Sequence, residues 1–288
     1  SDYIPNKGYS LYDSNVDHAT PFQIERSGVK SVVAGKYHTI FLKQDGSLWG
    51  MGYNGTGALG NGKAENDYRD QDADGTREAL EASPVRIVNA EVVNIAVSDF
   101  ETWFVKENGS LWKMGGNDLL PKMILPSGVV QVELINYMYN FTEAFALDSN
   151  GTVTYIYLDA NNIQNSSVIM NNGVKSISAG NGHLLILKWD GSLWVAGQNN
   201  YGQLGNGQDK RNISNFVPFD QPMKILSVDN IALISGGFEH SLLVKDDGSF
   251  WGMGDNWKGE LGINKNESTY SELDETGSPY ALENVPVQ

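Results

Sequence analysis

The acidic residues between positions 70 and 81 have the types and spacing to bind a metal ion. Asp70, Asp72 and Asp74 alternate along the chain, and Gly75 and Glu81 complete the pattern D-x-D-x-D-G-x5-E. Alternating carboxylates can converge on one hard cation, and an acid at the twelfth position can bind through both oxygens. The pattern therefore predicts a Ca²⁺ site. Its expected ligands are Asp70, Asp72, Asp74, the backbone carbonyl of Thr76, Glu78 and Glu81.

The surroundings of this loop differ from those of a paired calcium sensor. Arg77 stands where the helical EF-hand loop usually has an apolar residue, and no helical periodicity precedes Asp70. We therefore expect an isolated calcium loop in an insert near residues 61–83, with a solvated acidic loop as the alternative. The five acidic side chains of this segment would repel one another without a cation.

The sequence contains no arrangement of residues that is typical of a catalytic site. Neither a G-x-S-x-G nor an H-E-x-x-H motif occurs, and the chain has no Cys, which excludes thiol catalysis and Cys-ligated zinc. Residues 55–60 fit G-x-G-x-x-G, but they open no helical pattern, so nucleotide binding is not expected. The sequence favours a non-catalytic protein.

The charge of the chain limits its partners. With 35 acidic and 20 basic residues, the formal net charge is −15. Such a surface repels nucleic acids and anionic membranes, and no apolar stretch reaches the roughly 18 residues of a membrane-spanning helix. We therefore expect no nucleic-acid binding and no membrane insertion, and we expect a protein or glycan partner. The acidic charge, the absence of Cys and the calcium loop favour an extracellular or cell-surface location.

A five-residue phrase recurs along the chain and defines its organisation. Four copies read Asp/Asn-Gly-Ser-Leu/Phe-Trp and a fifth is weaker; their turn glycines are Gly46, Gly109, Gly151, Gly191 and Gly248. Asp-Gly or Asn-Gly between apolar runs predicts a hairpin with a type I′ turn. Two apolar runs precede each turn, a third follows, and a fourth often follows a proline. Four short strands per repeat are typical of a propeller blade.

The first repeat shows the expected strands most clearly. They span residues 29–34, 39–43 and 48–51, and the equivalent runs in later repeats include 174–179, 184–188, 231–235 and 241–245. Fourth strands are expected at 84–87, 218–219 and 279–282.

The first, fourth and fifth repeats resemble the RCC1 (regulator of chromosome condensation) repeat family. In the first repeat, Ala-Gly-Lys-Tyr-His at 34–38 precedes the turn phrase, and a Gly-rich segment ending in Ala-Leu-Gly at 58–60 follows it. Residues 179–183 with 197–205, and 254–262, match similarly. The resemblance covers roughly residues 20–285.

This resemblance implies an all-β fold, a β-propeller of RCC1-like repeats with about five four-stranded blades. Residues 29–288 would form the propeller and residues 1–28 an N-terminal closing segment. The closing segment and residues 285–288 could supply a sixth, shared blade, because propellers remove exposed sheet edges by closing the ring. A closed ring would favour a monomer.

Two sets of aligned residues are expected to be structural. His38, His183 and His240 lie eight residues before their turn glycines, and Glu101 and Glu143 occupy that position in the second and third repeats. Equivalent positions of successive blades lie around a ring, so these side chains are not expected to share a metal. The tryptophans of the turn phrase are expected between blades.

Aromatic residues in the loops are the candidate partner-binding residues. Local packing of each loop is the alternative for all of them. The candidates are Tyr37, Tyr53, Phe100, Tyr201, Phe238 and Trp257. Exposed aromatic residues rimmed by acids are typical of protein interfaces.

Four functions are compatible with this pattern. The first is a secreted or cell-surface binding module for a protein or glycan, with a structural Ca²⁺ ion. The second is an inhibitor of β-lactamase, which the resemblance to secreted bacterial propellers suggests. The third is guanine nucleotide exchange, the activity of the family's namesake. The fourth is a carbohydrate-active enzyme with paired carboxylates, although no pair stands out.

Overall fold

The computed structural model describes residues 21, 23–63, 65–68, 79–116, 118–137, 141–158, 164–209, 215–265 and 282–288. These residues form five antiparallel sheets, each built from strands that follow one another along the chain. The chain divides into two compact units, residues 1–127 and residues 128–288. The first unit contains two sheets and the second contains three. One short 3₁₀-helix spans Glu65–Asp67, and within the described residues no helix is long and apolar enough to cross a membrane.

The strands of the first unit follow sequence order within each sheet. The first sheet contains β1 (Val29–Ala34), β2 (His38–Lys43), β3 (Leu48–Tyr53) and β4 (Leu80–Val88). The second contains β5 (Val92–Val97), β6 (Glu101–Lys106), β7 (Leu111–Gly115) and β8 (Asp118–Leu125).

The second unit repeats the same order three times. The third sheet contains β9 (Val129–Tyr137), β10 (Phe141–Asp148), β11 (Val153–Leu158) and β12 (Gln164–Met170). The fourth contains β13 (Val174–Ala179), β14 (His183–Lys188), β15 (Leu193–Gln198), β16 (Phe216–Val217) and β17 (Met223–Lys224). The fifth contains β18 (Ile231–Gly236), β19 (His240–Lys245), β20 (Phe250–Asp255) and β21 (Leu282–Val287).

The inner strands lie where the sequence places them, whereas two outer strands differ. Pro218 and Phe219 form a turn, in which the Pro218 carbonyl accepts a hydrogen bond from the Gln221 amide. The short strands β16 and β17 on either side of this turn both pair with β15. Residues 282–287 form the outer strand of the fifth sheet, not a strand of a sixth. The proposed closing segment at 1–28 lies outside the described residues except for 21 and 23–28.

The recurring phrase builds each hairpin, but its turn is not of type I′. In the fourth sheet the Gly191 amide donates to the Lys188 carbonyl, and Gly191 has a φ of 76°. Asp190 is not among the residues with positive φ. This geometry fits a three-residue loop, a type I turn followed by a left-handed glycine. The Asp190 side chain therefore stays free to cap the turn.

The polar residues of the phrase form a short chain of hydrogen bonds. Asp190 Oδ1 accepts from the amide and the hydroxyl of Ser192 (2.9 and 2.5 Å). The Ser192 hydroxyl oxygen in turn accepts from the Trp194 indole nitrogen at 3.3 Å. The copies at 45–49, 108–112 and 247–251 have the same bonds. The phrase thus fixes the position of each tryptophan, which stays half-buried beside a lysine ammonium.

Apolar side chains between neighbouring sheets form the core. In the first unit Ile40 and Leu48 of the first sheet pack in one cluster with Phe104 and Met114 of the second. In the second unit one cluster joins the third and fourth sheets and another joins the fourth and fifth. Fully burying one such side chain stabilises the fold by about 1.5–3 kcal/mol. Strands β6 and β14 are buried along most of their length because both of their faces are covered.

Candidate functional site

Two of the three aligned histidines, His38 and His183, connect neighbouring sheets, as the sequence predicts for a structural role. In the first unit His38 Nε2 lies 3.1 Å from the hydroxyl oxygen of Thr102, which donates to the Ala58 carbonyl. A hydroxyl has one proton, so Thr102 accepts from the Nε2–H of His38. In the second unit His183 makes the same contact with Ser241 at 2.9 Å. Burial lowers the pKa of both histidines to about 4.

Three of the candidate aromatic residues lie together in the first unit. We call Tyr37, Tyr53 and Phe100 the first-unit aromatic cluster. The Tyr37 ring lies 6.2 Å from Tyr53 and 6.0 Å from Phe100, between ring centroids. Tyr37 is 47% exposed, and the Lys36 ammonium lies 5.1 Å from its ring. The turns before β2 and β6 and the end of β3 position these rings.

The other three candidates lie in the second unit near three acids. Phe238 and Trp257 are 67% and 37% exposed. Burial raises the pKa of Glu239, and the charges of Asp255 and Glu260 raise it further. Burial also raises the pKa of Tyr201, with added contributions from Glu239 and Asp255. We call the six residues the second-unit acidic–aromatic cluster, and the three neighbouring carboxylates would favour a cationic partner.

Most of the predicted calcium loop lies outside the described residues, which resume at Ala79. Of the predicted ligands only Glu81 is described, while Asp70, Asp72, Asp74, Thr76 and Glu78 are not. Glu81 Oε1 accepts from the Lys63 ammonium at 2.5 Å, from the Asn61 amide and from the Tyr68 hydroxyl. Within the described ranges no group of three or more His, Asp or Glu side chains could hold a metal. The calcium site stays a prediction.

Sequence reasoning missed the different surroundings of the two glutamates that replace the aligned histidine. In the second sheet Glu101 accepts from the Trp103 indole at 2.8 Å and from the Lys113 ammonium at 3.1 Å. In the third sheet Glu143 accepts from the Tyr155 hydroxyl at 2.5 Å. Burial raises the pKa of Glu143. Aligning the repeats through these positions would have revealed the difference, because Phe145 replaces Trp103 and Tyr155 replaces Lys113.

Comparison with known proteins finds repeats of one family, and relatives that match most of the chain. Models of the regulator of chromosome condensation (RCC1) repeat match residues 190–244 and, in a second form, 29–58 and 174–203. The guanine nucleotide exchange factor SRM1 of Saccharomyces cerevisiae is 24% identical over 91% of this chain and 65% of its own length. The ultraviolet-B receptor UVR8 of Arabidopsis thaliana is 23% identical over 87% of this chain and 59% of its own length.

Solved structures show the same fold. The crystal structure of Prp20p from Saccharomyces cerevisiae superposes with a TM-score of 0.70 at 22% identity, covering 90% of this chain and 64% of that one. Human WBSCR16 superposes with a TM-score of 0.64 at 17% identity, covering 90% and 66%. The fold is therefore that of an all-β repeat propeller. The chain carries RCC1 repeats, and its resemblance to the RCC1 repeat family is confirmed.

This chain is shorter than the proteins it resembles. It spans less than two thirds of the length of SRM1, UVR8, Prp20p and WBSCR16. The resemblance supports a binding or regulatory propeller, and any particular partner has to be argued from this chain's own surface.

Proposed function

We propose that this protein is a non-catalytic binding module that recognises a protein partner through the first-unit aromatic cluster. The carrying observation is the contact of Tyr37 with Tyr53 and Phe100, residues from three separate segments that together form one aromatic surface. Exposed, converging aromatic rings supply large contact areas with little loss of side-chain entropy.

Relatives support a protein as the partner. Prp20p, which shares the fold of this chain, binds Gsp1p and histones. The net charge of −15 and the second-unit acidic–aromatic cluster would favour a partner with a basic surface. An extracellular or cell-surface location and a Ca²⁺ ion in the 61–83 insert remain part of the proposal, on the charge, the absence of Cys and the loop pattern.

The test places a photo-crosslinking amino acid at Tyr37 in the intact chain. A second version carries it at Phe250, which is similarly exposed at 53% but lies on a strand of the fifth sheet. After irradiation in an extract of the source cells, mass spectrometry identifies proteins captured from position 37 and not from 250. Each captured protein is then purified and titrated against the unmodified chain.

The proposal expects the double variant Y37A/F100A to bind the purified partner at least about tenfold more weakly, a loss of about 1.4 kcal/mol. The matched variant F250A should bind normally. Equal binding by Y37A/F100A would refute the role of the cluster. Binding of oligosaccharides on a glycan array, with no protein captured, would refute the choice of a protein partner.

Nucleotide exchange is a second candidate, because the match to the exchange factor SRM1 covers 91% of this chain. The assay follows release of a fluorescent guanine nucleotide from Gsp1p, which Prp20p binds. Accelerated release that is lost in Y37A/F100A would favour exchange over simple binding. An unchanged release rate would dismiss exchange on this protein.

A further inference from the structure

A recess lies between the third and fourth sheets of the second unit. Its volume is about 440 Å³. Glu143, Tyr155, Tyr157 and Ser167 line it from the third sheet, and residues 216 and 218–220 line it from the fourth. We call it the third-sheet recess.

Four aromatic rings form its walls at several different angles. Tyr155 and Tyr157 stack at 4.8 Å with 24° between their planes. Phe219 lies 5.5 Å from Tyr155 at 43° and 5.9 Å from Phe216 at 87°. Tyr155 is stacked on both sides, by Tyr157 and by Phe145, whose ring lies 5.0 Å away at 12°. The rings therefore form an aromatic wall, and a cation is attracted to such a wall where a ring face is open.

Glu143 supplies an incompletely satisfied carboxylate to this recess. Its Oε1 accepts from the Tyr155 hydroxyl. Its Oε2 is buried and has no hydrogen-bond partner among the described residues. Leaving a buried carboxylate oxygen unpaired is costly, so a donor that reached Oε2 would be strongly favoured. Asp220 at the rim adds a second negative charge.

The second sheet shows which group satisfies a carboxylate at this position. There Glu101 accepts from the Trp103 indole and from the Lys113 ammonium, which lies 3.1 Å from both Glu101 and Asp118. In the third sheet the position of Trp103 is taken by Phe145, which has no N–H. The position of Lys113 is taken by Tyr155. Among the described residues, no ammonium takes at Glu143 the place that Lys113 takes at Glu101.

Two further differences distinguish the surroundings of Glu143 from those of the other aligned residues. Ala144 of β10 pairs with Ile156 of β11 in antiparallel register, so the next residue, Tyr157, stands opposite Glu143. The other sheets have at this point a glycine with φ between 92° and 109°: Gly52, Gly115, Gly197 and Gly254. In the second and fifth sheets the residue after the aligned position is Thr102 or Ser241, and its hydroxyl contacts the aligned histidine of the preceding sheet. In the fourth sheet this residue is Leu184, which offers no hydroxyl to Glu143 of the third sheet.

We propose that the third-sheet recess binds the ammonium group of a lysine side chain from a partner protein, with Glu143 accepting its hydrogen bond and the aromatic wall lying beside its aliphatic chain and its charge. A primary ammonium fits better than a quaternary one because Oε2 needs a donor. Oε2 is shielded from water, so the carboxylate turns slightly toward the recess on binding, and the terminal torsion of Glu is broad enough to permit this. The choice of a protein lysine rests on the proposed protein-binding function, although the site is separate from the first-unit aromatic cluster.

The test titrates the intact chain with Nα-acetyl-lysine N-methylamide by NMR. The matched probe is Nα-acetyl-norleucine N-methylamide, which keeps the aliphatic chain and lacks the ammonium. The proposal expects the lysine probe to bind at least tenfold more tightly than the norleucine probe, and E143Q to weaken it at least tenfold. The control E101Q should leave lysine binding unchanged. Thermal melts show that each variant is folded.

Other outcomes overturn the proposal. Equal binding of the two probes would make the recess a general apolar pocket, and unchanged binding by E143Q would remove the carboxylate from the site. Displacement of the lysine probe by neutral disaccharides would assign the recess to glycans. Binding of n-butylamine as tight as that of the lysine probe would assign it to free amines. Because the probes are small, these results are independent of partner capture through Tyr37.

Discussion

His183 Nε2 lies 2.9 Å from the hydroxyl oxygen of Ser241, and this buried contact joins the fourth sheet to the fifth. Ser241 in turn donates to the Gln203 carbonyl at 2.8 Å, so the three groups form one chain of hydrogen bonds. The histidine of the repeat therefore holds neighbouring sheets together as a neutral donor. Protonation would leave this hydrogen bond in place, but it would put a charge and a second N–H, at Nδ1, into a buried site where Nδ1 has no hydrogen-bond partner among the described residues.

Acidification should destabilise the protein through His183. Burial lowers its pKa to about 4, whereas an unfolded histidine titrates near 6.5. Between these values the unfolded chain binds more protons, so the stability that is present above pH 6.5 is lost as the pH falls toward 4. The loss amounts to about 3 kcal/mol. Urea unfolding at a series of pH values measures it.

The substitution H183N separates the contribution of His183 to the pH dependence of stability from that of the other titrating groups. Glu133 acts in the opposite direction, because burial raises its pKa to about 7 and its contribution is lost as the pH rises. We expect H183N to be less stable at neutral pH and to reduce the slope of stability against pH in this window. The control S241A breaks the same contact and should leave the slope nearly intact. An unaltered slope in H183N would exclude His183 as its source.

The turn glycines should differ in their tolerance of alanine. Gly46 and Gly248 have nearly the same φ, 75° and 81°, so alanine is strained by about 1–2 kcal/mol at either position. A Cβ at Gly46 would lie 2.7 Å from the Glu91 amide nitrogen, whereas a Cβ at Gly248 would meet nothing within 4 Å. We expect G46A to be clearly less stable than G248A in chemical unfolding. Equal losses would mean that the turn does not need its close approach to the next sheet.

The strand pattern could be predicted because turn chemistry and apolar runs are local. Strand β1 begins and ends where its apolar run does, at Val29 and Ala34. The predicted turn type was wrong because two local signals compete. Asp-Gly favours a type I′ turn, whereas the hydrogen bonds from Ser47 to the Asp45 side chain favour the observed turn, and these bonds prevailed. The predicted strand at Pro218 was wrong, because the short strand before it ends at Val217 and Pro218 opens the turn that follows.

The candidate site was only partly predictable, since it depends on contacts between distant segments. Tyr37 and Phe100 are 63 positions apart, and their contact exists only because two sheets pack together. The third-sheet recess was not predicted at all. Its signal is a set of exchanges, Tyr157 for a glycine and Phe145 for a tryptophan, that has meaning only once strand register is known.

Removing Lys113 should expose the cost of an unpaired carboxylate in the second sheet. Glu101 and Lys113 side chains are only 11% and 12% exposed, and burial would lower the pKa of Lys113 if Glu101 and Asp118 did not raise it. We expect K113M to lose about 3 kcal/mol, because Glu101 is left buried and charged. The double variant E101Q/K113M should recover much of this loss. A double variant as unstable as K113M would show that packing, not charge, explains the effect.

The predicted role of Glu81 as a calcium ligand can be tested by comparing it with a matched residue, Glu283, in the fifth sheet. Glu81 pairs across the sheet with Gly52 and accepts from Lys63, while Glu283 pairs with Gly254 and accepts from Lys265 at 2.7 Å. Both acids hold a lysine, but only Glu81 ends the calcium pattern. Millimolar calcium should therefore raise the melting temperature of the unsubstituted protein and of E283Q, and a chelator should reverse the rise.

The variant E81Q decides between the two roles of this carboxylate. Loss of the Lys63 ion pair lowers its melting temperature in either medium, since the pair is partly shielded from water. Loss of a bidentate ligand would in addition abolish the rise that calcium produces. If E81Q and E283Q responded to calcium alike, Glu81 would serve only Lys63, Asn61 and Tyr68, and the metal would have to be held without it.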